Sequence, residues 1–137
     1  MKFLELHLKG FGKFHDRTIS FTDGINVIYG KNEAGKSTMH TFIRGMLFGI
    51  QPQRGRASKN DLYSKYEPWK NKGVYGGQMR VEKDGVIYRL ERNFQKDQKS
   101  FVIVNETAGK QVEPTKSFLD FLLGGLTETA YNNTISI

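Results

Sequence analysis

The stretch Gly30-Lys31-Asn32-Glu33-Ala34-Gly35-Lys36-Ser37 fits the pattern G-x-x-x-x-G-K-[ST]. Those residue types at that spacing can hold a polyphosphate. Gly30 and Gly35 let the backbone approach an anion with no Cβ in the way. The consecutive N–H groups around them then converge as an anion nest, reinforced by the positive end of the helix that follows. Lys36 is set to reach the β- and γ-phosphates, and Ser37 to place its hydroxyl on Mg²⁺. In a chain of 137 residues the pattern arises by accident on the order of once per hundred chains.

Two elements must position such a loop, and the sequence supplies both. Ile25-Asn26-Val27-Ile28-Tyr29 is a β-branched and aromatic run ending at Gly30, as a buried strand should. Beyond the loop, Met39, Phe42, Ile43, Met46, Leu47 and Ile50 fall on one face of a helix. Strand, glycine-rich loop and helix in that order are the context the motif requires. Nucleotide binding is the expectation.

The bulk properties narrow the class. The length suits one domain, or part of one, with room for a core. Without cysteine, neither disulfides nor thiolate-bound metals are available, which fits a reducing cytoplasm. No apolar run reaches the roughly 18 residues of a membrane span, so no membrane partner is expected. The net charge of +7 favours anionic partners, with nucleic acid foremost. That charge is concentrated: residues 51–72 carry six Lys or Arg against two acids, whereas residues 101–137 carry two against four.

Taken in order, Lys2 to Lys9 alternates, with Leu4, Leu6 and Leu8 on the core face of a strand. Gly10-Phe11-Gly12 reads as a turn and Arg17 to Phe21 as a second, antiparallel strand. Residues 51–74 hold Pro52, Gly55, Pro68 and Gly73 with little periodicity, and read as a long loop. In it Arg54, Arg56, Lys59 and Lys65 are interleaved with Tyr63, Tyr66 and Trp69, a composition that suits a nucleic-acid surface. The aromatics equally suit a role in pinning the loop to the core, which is the expectation for Trp69. Gln78 to Lys83 and Val86 to Phe94 form a hairpin about Asp84-Gly85. Phe101 to Val104 is a further strand, with a turn from Glu106 to Lys110. A helix covers Lys116 to Leu123, with Pro114 near its start and Gly124-Gly125 at its end. Thr127 suits the N-cap of a short helix through Asn132, and Thr134 to Ile137 begins another strand.

Some features imitate chemistry without carrying it. Phe101-Val102-Ile103-Val104-Asn105-Glu106 imitates a Walker B strand but has Asn where a Mg²⁺-holding carboxylate belongs, so it reads as a plain strand. His7, His15 and His40 have no partners at metal-ligand spacing and read as structural. Glu33 is the carboxylate inside the loop, and reads as a solvated or capping acid rather than a catalytic base.

These residues resemble a known family. A first strand, Gly10-Phe11-Gly12-Lys13-Phe14, a second strand, and then Gly24 through Thr38 are similar to the N-terminal lobe of SMC/SbcC/RecF-type ABC ATPases. The bacterial YhaN-like branch is resembled in particular, through Phe42-Ile43-Arg44, Met46-Leu47-Phe48-Gly49, Tyr75-Gly76-Gly77, Tyr88-Arg89-Leu90-Glu91-Arg92 and Tyr131 to Ile137. The resemblance implies an α/β P-loop NTPase lobe over residues 1–137, with antiparallel hairpins beside a P-loop strand–helix unit. It also implies ATP and Mg²⁺ as cofactors. Asn32, Gly35, Lys36, Ser37 and Thr38 would hold phosphates and metal, with Gly30, Glu33 and Ala34 completing the cradle and Lys13 and Phe14 approaching the base. Partners would be the chain's own C-terminal lobe, a second copy of the head, DNA, and an SbcD-like nuclease. The Q-loop glutamine, the signature motif, the Walker B acids, the D-loop, the switch histidine and the coiled coil are expected beyond Ile137, and Leu122-Leu123-Gly124-Gly125-Leu126 is no substitute for the signature. The 137-residue chain alone is therefore expected to bind nucleotide weakly and hydrolyse almost none.

A rival reading is a non-hydrolysing DNA-binding module in which nucleotide only orders the basic loop. DNA titrations with and without ATP at several salt concentrations separate the two. Neutralising Arg54, Arg56 and Lys59 without weakening DNA binding would remove the loop reading. A small-molecule kinase or GTPase would need a base-specificity motif and a Walker B strand, neither of which is found.

Overall fold

The computed structural model describes residues 1–21, 33–50, 62–68, 74–128 and 130, with backbone only at 33–37, 62 and 64. The strands are β1 (Lys2–Phe11), β2 (Phe14–Ser20), β3 (Gly76–Lys83), β4 (Val86–Asn93), β5 (Ser100–Asn105) and β6 (Lys110–Val112). The helices are α1 (Glu33–Phe48), α2 (Leu62–Tyr66) and α3 (Lys116–Leu123). The strands form one six-stranded sheet in the order β2-β1-β3-β4-β5-β6. Every neighbouring pair is antiparallel.

Alternation along the strands gives the sheet one apolar face. Leu6, Leu8, Met79, Val81, Tyr88, Leu90 and Ile103 lie on it and are buried. The β3–β4 hairpin turns as its sequence requires: Asp84 has φ 52° and Gly85 φ 80°, the two positive values of a type I′ turn. Alternation along β1 is interrupted by two register shifts against β3, the second between Leu8 and Gly10. The first falls between Phe3 and Glu5, so Phe3 stands opposite Val81 and packs on the core where Leu4 was expected. The opposite face is polar, with Arg80 Nε on Glu106 Oε1 at 2.8 Å and Gln78 hydrogen-bonded to Glu91.

Two helices cover the apolar face. α1 buries Met39, Phe42, Ile43, Met46 and Leu47, and Ile50 just beyond it is buried too, as the periodicity predicts. α3 spans the residues expected of it. Thr115 Oγ1 caps it by accepting from Phe118 N at 3.1 Å, and Gly124, left-handed at φ 60°, ends it. Leu122 is fully buried and Phe118 meets the Tyr88 ring edge-on at 5.3 Å. Phe121, by contrast, is 47% exposed beside Lys83.

Three elements differ from the expectation. β2 begins at Phe14, and the turn before it is Gly12-Lys13 because β1 continues through Phe11. The segment read as a long loop contains α2, whose Tyr63 and Tyr66 are buried in the core. The turn after β5 leads at once into β6, which pairs with it. At Thr127 the expected cap is present, its Oγ1 accepting from Ala130 N at 3.1 Å. The expected strands at 25–29 and 134–137, the far end of the helix expected through Asn132, and Trp69 lie outside the described residues. An antiparallel sheet with few helices fits an α/β P-loop-type fold.

Candidate nucleotide-binding site

The site is organised by α1. Gly35 and Lys36 lie in its first turn, with Ser37 and Thr38 directly after. A helix start leaves its first N–H groups without intrahelical partners and concentrates positive potential there. This is the geometry that receives a phosphate. Thr38, Met39, Phe42, Ile43, Met46 and Leu47 are buried, so the body of the helix is fixed in the core. Gly30 and Asn32 lie outside the described residues, as do the side chains of Glu33, Ala34, Lys36 and Ser37.

The far end of α1 is held by a residue that sequence reasoning did not single out. Arg92 Nε donates to Met46 O at 2.8 Å and its Nη2 to Leu47 O at 3.4 Å. The guanidinium also lies over the Phe101 ring, 3.6 Å from its centroid. A cation thus meets the negative end of the helix and satisfies carbonyls the helix leaves open. Burial pushes the Arg92 pKa down to about 10, which leaves it charged at neutral pH. Gly49, left-handed at φ 84°, then turns the chain away. No sequence signal pairs Arg92 with α1, since the bond joins residues 46 positions apart.

The turn carrying Lys13 and Phe14 is brought alongside this helix through Phe11. The Phe11 ring meets Phe42 edge-on at 5.2 Å and stacks on Tyr66 at 4.9 Å. Phe14 has cations near its ring: Lys13 Nζ at 5.7 Å and Arg17 Cζ at 5.9 Å from the centroid. Lys65, expected on a separate nucleic-acid surface, is exposed beside the same turn, because Gly12 N donates to the carbonyl of its neighbour Tyr66 at 2.6 Å. Lys13 and Arg17 thus gather at the Phe14 ring, while Lys65 Nζ lies over the Tyr66 ring at 5.5 Å. Arg54, Arg56 and Lys59 lie outside the described residues. Arg44 on α1 pairs with Glu128 at 3.3 Å, tying the helix to the segment after α3.

Ser37, the residue the sequence predicts for Mg²⁺, has its backbone directly after the first turn of α1, and its side chain lies outside the described residues. Among the described residues, no group of three His, Asp or Glu is arranged to hold a metal without a nucleotide.

One pair on the β1–β2 hairpin sets a pH dependence. His7 Nε2 donates to Asp16 Oδ1 at 2.7 Å. The hydrogen bond from His7, and then its charge, hold the Asp16 carboxyl below its ordinary value of 3.8. A depressed carboxyl stabilises the fold above its unfolded pKa and loses that contribution as pH falls through its folded pKa. Asp16→Asn is therefore expected to flatten the fall in stability below about pH 4, read by urea melts across the acid range. Asparagine tolerates the left-handed backbone of φ 52° found there, so the fold survives the substitution. An acid limb identical to that of the native chain would remove this pair from the account.

Comparison with known proteins agrees with this geometry. Residues 5–131 match the family described as AAA domain, and the chain belongs to that family. Over 83 residues it is 43% identical to the uncharacterized protein YhaN of Bacillus subtilis (strain 168), a match covering 60% of this chain and 8% of YhaN. Over 92 residues it is 37% identical to the DNA double-strand break repair Rad50 ATPase of Sulfolobus acidocaldarius, covering 65% of this chain and 9% of that protein. The corresponding Rad50 ATPase of Archaeoglobus fulgidus is 43% identical over 58 residues, 42% of this chain and 6% of that protein. The matched stretch spans less than a tenth of the length of these relatives. Family and relatives together support an SMC/Rad50-type ATPase N-terminal lobe.

Proposed function

We propose that residues 1–137 are the ATP-binding half of an ATPase head, whose C-terminal lobe completes the chemistry. The observation that carries this reading is the position of Gly35-Lys36-Ser37 at the start of α1, a 16-residue helix with a buried body and a charged anchor at its far end. In this reading the main-chain amides around Gly30 and from Asn32 to Gly35 cradle the β- and γ-phosphates. Lys36 neutralises them, while Ser37 and Thr38 serve Mg²⁺ and its surroundings. Bound Mg²⁺ supplies charge neutralisation across the β- and γ-oxygens. Lys13 and Phe14 face the base. Two such heads would close over ATP, and the closure would be coupled to work on DNA. The names of the two Rad50 relatives support that assignment. An SbcD-like nuclease is the partner such a head would serve.

Phosphoryl transfer is positioning plus electrostatics, and hydrolysis also needs a carboxylate to orient water. In this reading residues 1–137 bind nucleotide weakly and hydrolyse almost none. Calorimetry with Mg·ATP tests the reading, first on this chain and then with the complementary lobe added. Weak heat that strengthens with the added lobe is expected. No heat in either arm would end the nucleotide reading. Turnover that persists in rigorously purified 1–137 and vanishes in Lys36→Ala would overturn the division of labour between lobes.

A further inference from the structure

The turn that carries Lys13 and Phe14 is buttressed from one side by α2. Phe11, at the end of β1, meets four rings: Phe42 of α1 edge-on at 5.2 Å, Tyr66 of α2 stacked at 4.9 Å with 14° between planes, Tyr75 at 5.8 Å and Phe94 at 6.0 Å. At the next residue, Gly12 N donates to Tyr66 O at 2.6 Å. Gly12 is left-handed at φ 59°, and a Cβ there would stand 3.4 Å from Tyr66 Cδ1. α2 is itself tied down. Tyr75 Oη donates to Tyr63 O at 2.8 Å. Tyr63 Oη donates to Gln95 Oε1 at 2.9 Å and accepts from Lys96 N at 3.0 Å. A continuous path of hydrogen bonds and ring contacts thus runs from the β4–β5 connection through α2 to the Lys13–Phe14 turn.

We infer that Tyr66 is a positioning residue for the base and ribose half of a bound nucleoside triphosphate. This rests on the nucleotide reading above. Six residues of helix, about 9 Å, separate Lys36 from Phe42, so the turn beside Phe11 stands within one nucleotide's length of the phosphate end. In that reading the phosphates are held at the start of α1, six residues before the Phe42 contact with Phe11. The base-facing turn depends on α2: a two-residue turn containing glycine has few restraints of its own. Removing the ring lets the turn sample other conformations, and apparent affinity falls by the fraction of time it is out of place. Only a ligand that reaches the turn registers that loss.

The test compares Mg·ATP with Mg·tripolyphosphate, which occupies the phosphate site and carries no base. Calorimetry on the full chain is run for Tyr66→Leu and Tyr66→Phe, each with a thermal melt. Tyr66→Leu is expected to weaken Mg·ATP about five- to tenfold and leave tripolyphosphate unchanged. Tyr66→Phe keeps the ring and the main-chain bond, and is expected to match the native chain with both ligands. Equal weakening of both ligands in Tyr66→Leu would reduce Tyr66 to a core residue and overturn the inference. Unchanged Mg·ATP affinity would overturn it as well. A native chain that binds neither ligand, even with the complementary lobe added, would overturn the nucleotide reading itself, and this inference with it.

Discussion

Lys36→Ala is expected to lower Mg·ATP affinity about a hundredfold while the fold stays intact. A phosphate-contacting charge in a preformed site is worth roughly 2–5 kcal/mol, and each 1.4 kcal/mol is about tenfold in affinity. Stability should change little, because the substitution falls in the first turn of α1 and alanine is the best helix former. Calorimetry beside a thermal melt separates the two effects. Lys36→Arg is the informative companion. Its planar guanidinium keeps the charge but cannot reproduce the compact ammonium between two phosphates, so it should recover only part of the affinity. Undiminished heat in Lys36→Ala at the same melting temperature would place the phosphates somewhere other than the head of α1.

Local chemistry was legible wherever one short stretch carried its own instructions. Asp84-Gly85 specified a type I′ turn, and both residues take the positive φ it needs. α3 was bounded by Pro114 and Gly124, and its ends fall where expected because caps are sequence-local devices. The apolar spacing from Met39 to Ile50 gave the buried face of α1. Elements held by distant contacts were not legible. α2 spans five residues, too few to show a helical period, and its tyrosines are ordered by Phe11, Tyr75 and Gln95 from elsewhere in the chain. The start of β2, Phe14-His15-Asp16-Arg17, carries no alternation because an edge strand exposes both its faces. It is a strand because β1 offers it a partner, with Phe11 opposite Phe14. The same divide runs through the candidate site. The phosphate motif was readable from one octapeptide. That α2 bonds to Gly12, next to Lys13, and that Arg92 secures α1, depended on pairings no local pattern encodes.

Arg92→Ala is expected to cost about 3 kcal/mol of stability, from the standard worth of a charged group's hydrogen bonds plus a desolvated ring contact. In a chain of 137 residues that is roughly a 10 °C fall in melting temperature. Two interactions are lost together. The forked donation to Met46 O and Leu47 O leaves helix-end carbonyls to find other partners, and the Phe101 ring face loses its cation. Relief from burying a charge offsets part of this, since burial alone pulls the guanidinium to about 10. Arg92→Lys distinguishes the contributions: an ammonium keeps the charge near the helix end but neither the fork nor the flat stacking, so it should recover less than half of the loss. Phe101→Leu removes the ring contact alone and should cost about 1 kcal/mol. The double variant Arg92→Ala/Phe101→Leu should cost less than the sum, because the two side chains share one interaction. The consequence for binding follows from geometry. A helix free to shift at its C-terminal end moves its first turn as well, so Mg·tripolyphosphate affinity should fall in Arg92→Ala even where the protein remains fully folded. A melt within a degree of the native chain, with phosphate affinity unchanged, would mean that the core contacts of α1 hold it in place without the arginine.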